Sequence, residues 1–438
     1  MRKRSMVAVI AIAGIVMATA ACSSGTGSSG SSDKSLTYWA TNQGTSLAND
    51  RQVLTPVLNE FTKETGIKVN LEVIGWNTVQ TRIQTAATSG QAPDVTNIGN
   101  TWATSFQATG AFLPFASSEM QAIGGSSKFL KTALATGGAA GKAPTSVPLY
   151  GLVYTLYYNK KMFADAGLTP PTTYEDMVSD AQKLTNPSAG VHGLALAAGS
   201  YTENVHFAFI NGSQNGADFF DAKGNPTFTS DAAVDGVLRY LDLMQTDKVV
   251  DVADAQYDDS TISAADFAHN KVAMIVSQSD GFGTLAGDKM SPSAYGVVAY
   301  PAPAAGPNKI ASFIAGINLS IFKNTKNKAG ALKFVKFMTS KATQSTLDKA
   351  YMSLPVLNGV SPNLPYTVPA GAGDVLENIF STRSKPLPLF PAEADFETAV
   401  GKAMNNLFAK IATGGTVTKA DVKTALQTAQ DQVTATMG

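Results

Sequence analysis

Trp39, Trp76 and Trp102 are the only tryptophans in 438 residues. Polar amides stand beside two of them: Asn42 and Gln43 follow the first, and Asn97 and Asn100 precede the third. Aromatic faces next to amides are the groups with which a site stacks on apolar C–H patches and bonds hydroxyls of one ligand. Groups for other chemistry are sparser. His192, His206 and His269 are isolated, without metal-ligand spacing, so no metal site is expected. Asp258-Asp259 is a carboxylate pair, but adjacent side chains diverge on a strand or helix, which favours a solvated loop over paired acid–base catalysis. Neither a Gly-x-Ser-x-Gly turn nor a phosphate-cradling Gly loop stands in context. No cofactor is implied.

The length suits two or three domains, and 44% apolar residues are enough for packed cores. The chain has 33 basic and 33 acidic residues, and the loss of Arg2, Lys3 and Arg4 with a leader would leave it three charges negative. No basic field for nucleic acid is present. That leader is expected over residues 1–21: a cationic start, then an apolar run from Met6 to Met17. Twelve residues span about 18 Å as a helix, too little for the roughly 30 Å bilayer core, so the run reads as a signal peptide. It ends in Thr19-Ala20-Ala21-Cys22, which resembles a bacterial lipobox with Thr19 in place of the usual Leu. The resemblance implies that Cys22 is acylated and becomes the first residue. Two acyl chains suffice for stable anchoring. Ser23–Ser35, where ten of thirteen residues are Ser or Gly, is a tether with a reach of roughly 20 Å.

Beyond it, strand and helix signals alternate, as in α/β proteins. Strands are expected at Leu36–Trp39, Ile67–Val73, Leu152–Asn159, Gly193–Ala197, Lys271–Ser277 and Tyr295–Tyr300. Helices are expected from Thr55-Pro56 to Gly66, from Trp76 to Ala86, after a capping box at Thr173, over Asp231–Met244, along Phe396–Ile411, and after Thr418.

The order of motifs resembles extracellular solute-binding proteins of the maltose-binding type, which feed ABC importers. The stretches that carry it include Ser89-Gly90-Gln91-Ala92-Pro93-Asp94-Val95, Gly110-Ala111-Phe112-Leu113-Pro114, Leu156-Tyr157-Tyr158-Asn159-Lys160-Lys161-Met162-Phe163, Pro170-Pro171-Thr172-Thr173-Tyr174, Asn270-Lys271-Val272-Ala273-Met274 and Ala315-Gly316-Ile317-Asn318-Leu319. It implies an α/β two-lobed, type II periplasmic-binding fold with a hinge, lobe 1 holding residues 36–125 and 312–365, lobe 2 residues 126–311 and 366–438. It further implies a sugar in the interlobe cleft, permease subunits as partner, and a monomer on the outer face of the cytoplasmic membrane, without catalysis. A polyamine, phosphate ester or metal ligand, or a secreted carbohydrate-active enzyme, is the alternative; few clustered acids argue against a polyamine. Trp39 reads as packing and Trp76 as site or packing. The family's contact loops then nominate Asn42, Gln43, Asn100 and Trp102 from the first lobe. Tyr150, Tyr154, Tyr201, Glu203, Asp280, Phe282 and Glu393 are nominated from the second, with Phe282 standing where relatives carry an aromatic clamp.

Overall fold

The computed structural model describes residues 34–437 apart from Tyr366. The expected leader, Cys22 and all but the last two residues of the tether lie outside the described residues.

Strand pairing builds two main sheets. The first has the order β2-β1-β3-β10-β4, made of β1 (Ser35–Thr41), β2 (Lys68–Ile74), β3 (Val95–Gly99), β4 (Val147–Leu152) and β10 (Ala315–Ile321). β1 runs parallel to β2 and β3, while β10 is antiparallel to β3 and β4. The second has the order β6-β7-β5-β8, made of β5 (Tyr154–Asn159), β6 (His192–Ala195), β7 (Val272–Gln278) and β8 (Tyr295–Val298). A short parallel pair, β9 (Ser312–Phe313) with β11 (Ser384–Lys385), lies beside it.

In β1 the period of two buries Leu36, Tyr38 and Ala40 on one face. They meet Leu54, Leu58 and Phe61 of the Leu47–Thr65 helix, and Phe334 stands edge-on to both Tyr38 and Phe61. Burial of each such side chain contributes about 1.5–3 kcal/mol. The helix ends at Gly66, whose φ of 72° suits glycine. It does not start at Thr55-Pro56: Ser46 is the cap, accepting from the Asn49 N–H at 3.1 Å. Pro56 is therefore interior. It is exposed, as is Gln52, so water can satisfy the carbonyl that proline leaves without a donor.

The sequence pattern gives Leu152–Asn159 as one strand, but the chain turns at Val153, and β4 and β5 belong to different sheets. The stretch from residue 126 to 152, expected in lobe 2, thus pairs with the first sheet, and Phe129 bridges Leu357 on that side as well. β9 and β10 flank a second crossing at Ile314. A third passage leads from Leu354, bridged to Gly151, to the Ala372–Thr382 helix, which packs into the core of the second sheet.

Tyr201 and Glu203, nominated as residues of a contact loop, instead open the Tyr201–Gln214 helix, which runs through that second core and is buried continuously from Asn204 to Gln214. Ser200 caps it, accepting from the Glu203 N–H at 3.4 Å. The helices Asp231–Gln245 and Glu393–Ala412 pack against it backbone to backbone. A Cβ on Gly401 would lie 2.1 Å from the Tyr201 carbonyl oxygen, and one on Gly236 would lie 2.5 Å from the Gly212 nitrogen. The capping boxes at Thr173 and Thr418 are both formed.

Candidate functional site

A cavity of about 320 Å³ opens between the two main sheets, close to the crossings at Val153 and Ile314. The first-sheet wall is the loop after β1, the start of the Trp76–Ser89 helix and the Asn100–Trp102 turn after β3. The opposite wall is the first turn of the Tyr201–Gln214 helix, the Asp258–Thr261 segment and the end of β7 with Asp280. Phe313, Ala315, Gly316 and Glu397 also line it.

Asp50 shapes the first wall. Its fully buried carboxylate accepts from the backbone N–H groups of Gln43 (3.1 Å) and Gly44 (2.9 Å) and from Asn42 Nδ2 (2.6 Å). Burial pushes this carboxyl above its ordinary range, and those bonds oppose the rise. The loop so held aims Gln43 across the cavity, where its Nε2 donates to Asp280 Oδ2 at 3.0 Å. Trp76 is half-buried; its Nε1 donates to the Asn42 carbonyl at 2.5 Å, and its ring meets Trp102 edge to face at 5.5 Å.

Trp102 itself is 2% exposed, packed on Phe106, and donates from Nε1 to Glu397 Oε2 at 2.6 Å. It reaches the cavity from within the core rather than offering it a free face. Asn100 is similarly committed, its Nδ2 donating to the Ile314 carbonyl at 2.8 Å. Tyr154 lines the cavity, buried against Phe207, with its hydroxyl 3.0 Å from His206 Nδ1. Asn42, Gln43, Trp76, Asn100, Trp102, Tyr154, Glu203 and Asp280 are thus brought together.

Four nominated residues lie elsewhere. Tyr150 is buried on β4 against Tyr351. Phe282 is fully buried against Tyr157, 5.1 Å between centroids: in the Gly281–Gly287 helix the period turns Gly281 and Thr284 toward the cavity and residue 282 inward. Tyr201 abuts Gly401, while its neighbours Thr202 and Glu203 face the cavity. Glu393 is fully buried one helical turn before Glu397, and Glu397 is the one that lines the cavity. Trp39 packs under the Arg82 guanidinium, away from the cavity.

Sequence reasoning missed Glu397, His206 and the Asp258-Asp259 pair. His206 stands one helical turn after Glu203, a relation visible only once that segment is known to be a helix. Asp259 caps the Ser260–Ala268 helix, accepting from the Thr261 N–H at 2.7 Å, and both aspartates line the cavity mouth, exposed. Acids that look scattered in sequence are therefore gathered in space. Burial, reinforced by the charge of Asp259, pushes Glu203 up to about 8 and Asp280 up to about 7. Glu393 is pushed well above the usual carboxylate range by burial and by Glu397. Glu397 is raised by burial, but His206, Thr101 and Trp102 beside it bring it below its ordinary value. No group of His, Cys, Asp and Glu among the described residues is arranged to hold a metal ion.

Residues 44–345 match the family model described as bacterial extracellular solute-binding protein. The diacetylchitobiose binding protein DasA of Streptomyces coelicolor is 25% identical over 372 residues, 82% of each chain. Among solved structures, an ABC transporter solute-binding protein of Thermotoga lettingae bound with α-D-tagatose superposes with a TM-score of 0.78 at 21% identity, covering 91% of this chain and 100% of that one. Maltose-bound MalE3 of T. maritima superposes with a TM-score of 0.78 at 18% identity, covering 92% and 99%.

Proposed function

Because the chain belongs to the bacterial extracellular solute-binding proteins, we propose that it captures a sugar or short oligosaccharide between its two sheets and passes it unchanged to the permease subunits of an ABC importer. One observation carries this reading. The cavity sets a half-buried indole, Trp76, on one wall opposite the carboxylates of Glu203 and Asp280, so one wall can stack while the other bonds hydroxyls. A volume of about 320 Å³ is at the small end of ligand pockets, about 300–1,000 Å³, and suits one or two sugar rings. The diacetylchitobiose and tagatose named for the relatives are ligands of that size.

The protein works as a monomer held by lipid on Cys22 at the outer face of the cytoplasmic membrane. The motif at residues 19–22 supports the lipid anchor. Calorimetric titration with mono- and disaccharides tests the central reading, and chromatography of the recovered ligand tests the absence of turnover. Saturable binding with intact ligand is expected. Cleaved product would make the carboxylates catalytic instead, and failure of every saccharide to bind would overturn the sugar reading.

A further inference from the structure

Several of the polar side chains at the cavity are committed to bonds within the protein. Both tryptophan donors and the Asn42 amide are spent inside the protein: Asn42 on Asp50 and the Gly44 carbonyl, Trp76 on the Asn42 carbonyl and Trp102 on Glu397, while Asn100 gives one of its two amide hydrogens to the Ile314 carbonyl. Acceptors remain open. Gln43, 6% exposed and lining the cavity, gives its Nε2 to Asp280 and has no donor for its Oε1. A buried acceptor left unmet is a standing cost that a ligand donor removes.

Charge is unbalanced in the same direction. Five carboxylates line the cavity, from Glu203, Asp258, Asp259, Asp280 and Glu397, and no lysine or arginine among the described residues joins them. His206 is the one cavity-lining side chain able to carry positive charge, and its Nδ1 faces Tyr154 while its Nε2 lies 3.6 Å from Glu397. Among the described residues, no ion pair of the protein involves Glu203, Asp258, Asp259 or Asp280.

We propose that the sugar taken up by this cavity carries a protonated amine. An ammonium group offers three donors and no acceptor. It would meet Gln43 Oε1 and the carboxylates of Asp280 and Glu203 together, and the face of Trp76 attracts a cation as well as C–H groups. A neutral hydroxyl brings no charge to set against these carboxylates. Burial raises the proton affinity of Glu203 and Asp280, and a cation beside them would draw both toward the charged form.

The inference rests on the sugar reading above, and one titration series separates the two. The full-length protein in detergent is titrated near neutral pH with three β-1,4 disaccharides that differ at the 2-position: glucosamine (ammonium), N-acetylglucosamine (amide) and glucose (hydroxyl). Spermidine is a fourth probe. The ammonium form is expected to bind at least tenfold more tightly than the other two. Glu203→Gln and Asp280→Asn should each shrink that preference, with melting curves of the empty protein verifying that each variant folds. Equal affinities, or preference for the amide or hydroxyl form, would overturn the inference and leave the sugar reading standing. Binding of spermidine with no saccharide bound would overturn both.

Discussion

Replacing Trp102 by alanine removes an indole that is 2% exposed and breaks its bond to Glu397. A buried Trp→Ala change costs about 3–5 kcal/mol, so the melting temperature without ligand should fall by several degrees. Trp76→Ala strips a half-buried ring from the cavity wall and should weaken sugar binding at least tenfold while moving the melting temperature less than Trp102→Ala does. Melting curves beside calorimetric titrations check the pair, and a normal affinity in Trp76→Ala would remove that ring from the site. Glu203 and Asp280 predict a pH dependence. Both carboxyls bind protons more tightly in the folded protein than in the unfolded chain, where they titrate near 4. Their stabilising contribution is full below about pH 4 and is lost progressively until the pH passes about 7 to 8. Asp254 and Asp348, raised by burial to about 8 and about 7, act with the same sign. The melting temperature without ligand should therefore fall from about pH 5 to about pH 8 and level off above that, less steeply in Glu203→Gln. At this scale the sequence disclosed residue types but not directions. Nominating the loop that holds Asp280 was possible; knowing that Phe282 turns inward required the phase of the Gly281–Gly287 helix.

Helices with a polar face and a clean cap were legible in advance. Tyr174–Leu184 and Lys419–Thr436 both carry capping boxes and apolar stripes, and both form where the pattern indicates. The Tyr201–Gln214 helix was not legible. Buried on nearly all sides, it has no polar stripe, so its periodicity is blurred and only Ser200 with Glu203 three residues on marks its start. What locks it in place is a small residue on its neighbour. Gly401→Ala would push a methyl against the Tyr201 carbonyl, where backbone rather than a flexible side chain must yield. Overpacking of this kind costs about 1–3 kcal/mol. It should also displace Glu203 and His206, so denaturant unfolding and sugar titration are both expected to worsen; an unchanged unfolding midpoint would mean the two helices can separate freely.

For the molecule as a whole, the crossings at Val153 and Ile314 and the passage after Leu354 join the two sheets close to the cavity, the arrangement expected of a hinge. A ligand that touches both walls favours the closed form, so small-angle scattering should give a smaller radius of gyration at saturating sugar. An unchanged radius would argue that Gln43 and Asp280 already hold the walls together without ligand. The crossings are also where boundary reading from sequence failed, because one continuous apolar run, Leu152–Asn159, serves two sheets. The first sheet has a further consequence, concerning the order in which the chain emerges from the ribosome. β10 lies between β3 and β4, pairing Ile317 with Gly99 on one side and with Tyr150 on the other. Until residue 321 has been made, the slot between β3 and β4 is empty and these two strands present open edges to each other. Contacts so distant in sequence form slowly. A nascent chain that cannot complete its first sheet stays threadable through most of its synthesis, which is what export of an unfolded chain by the leader expected at residues 1–21 would require.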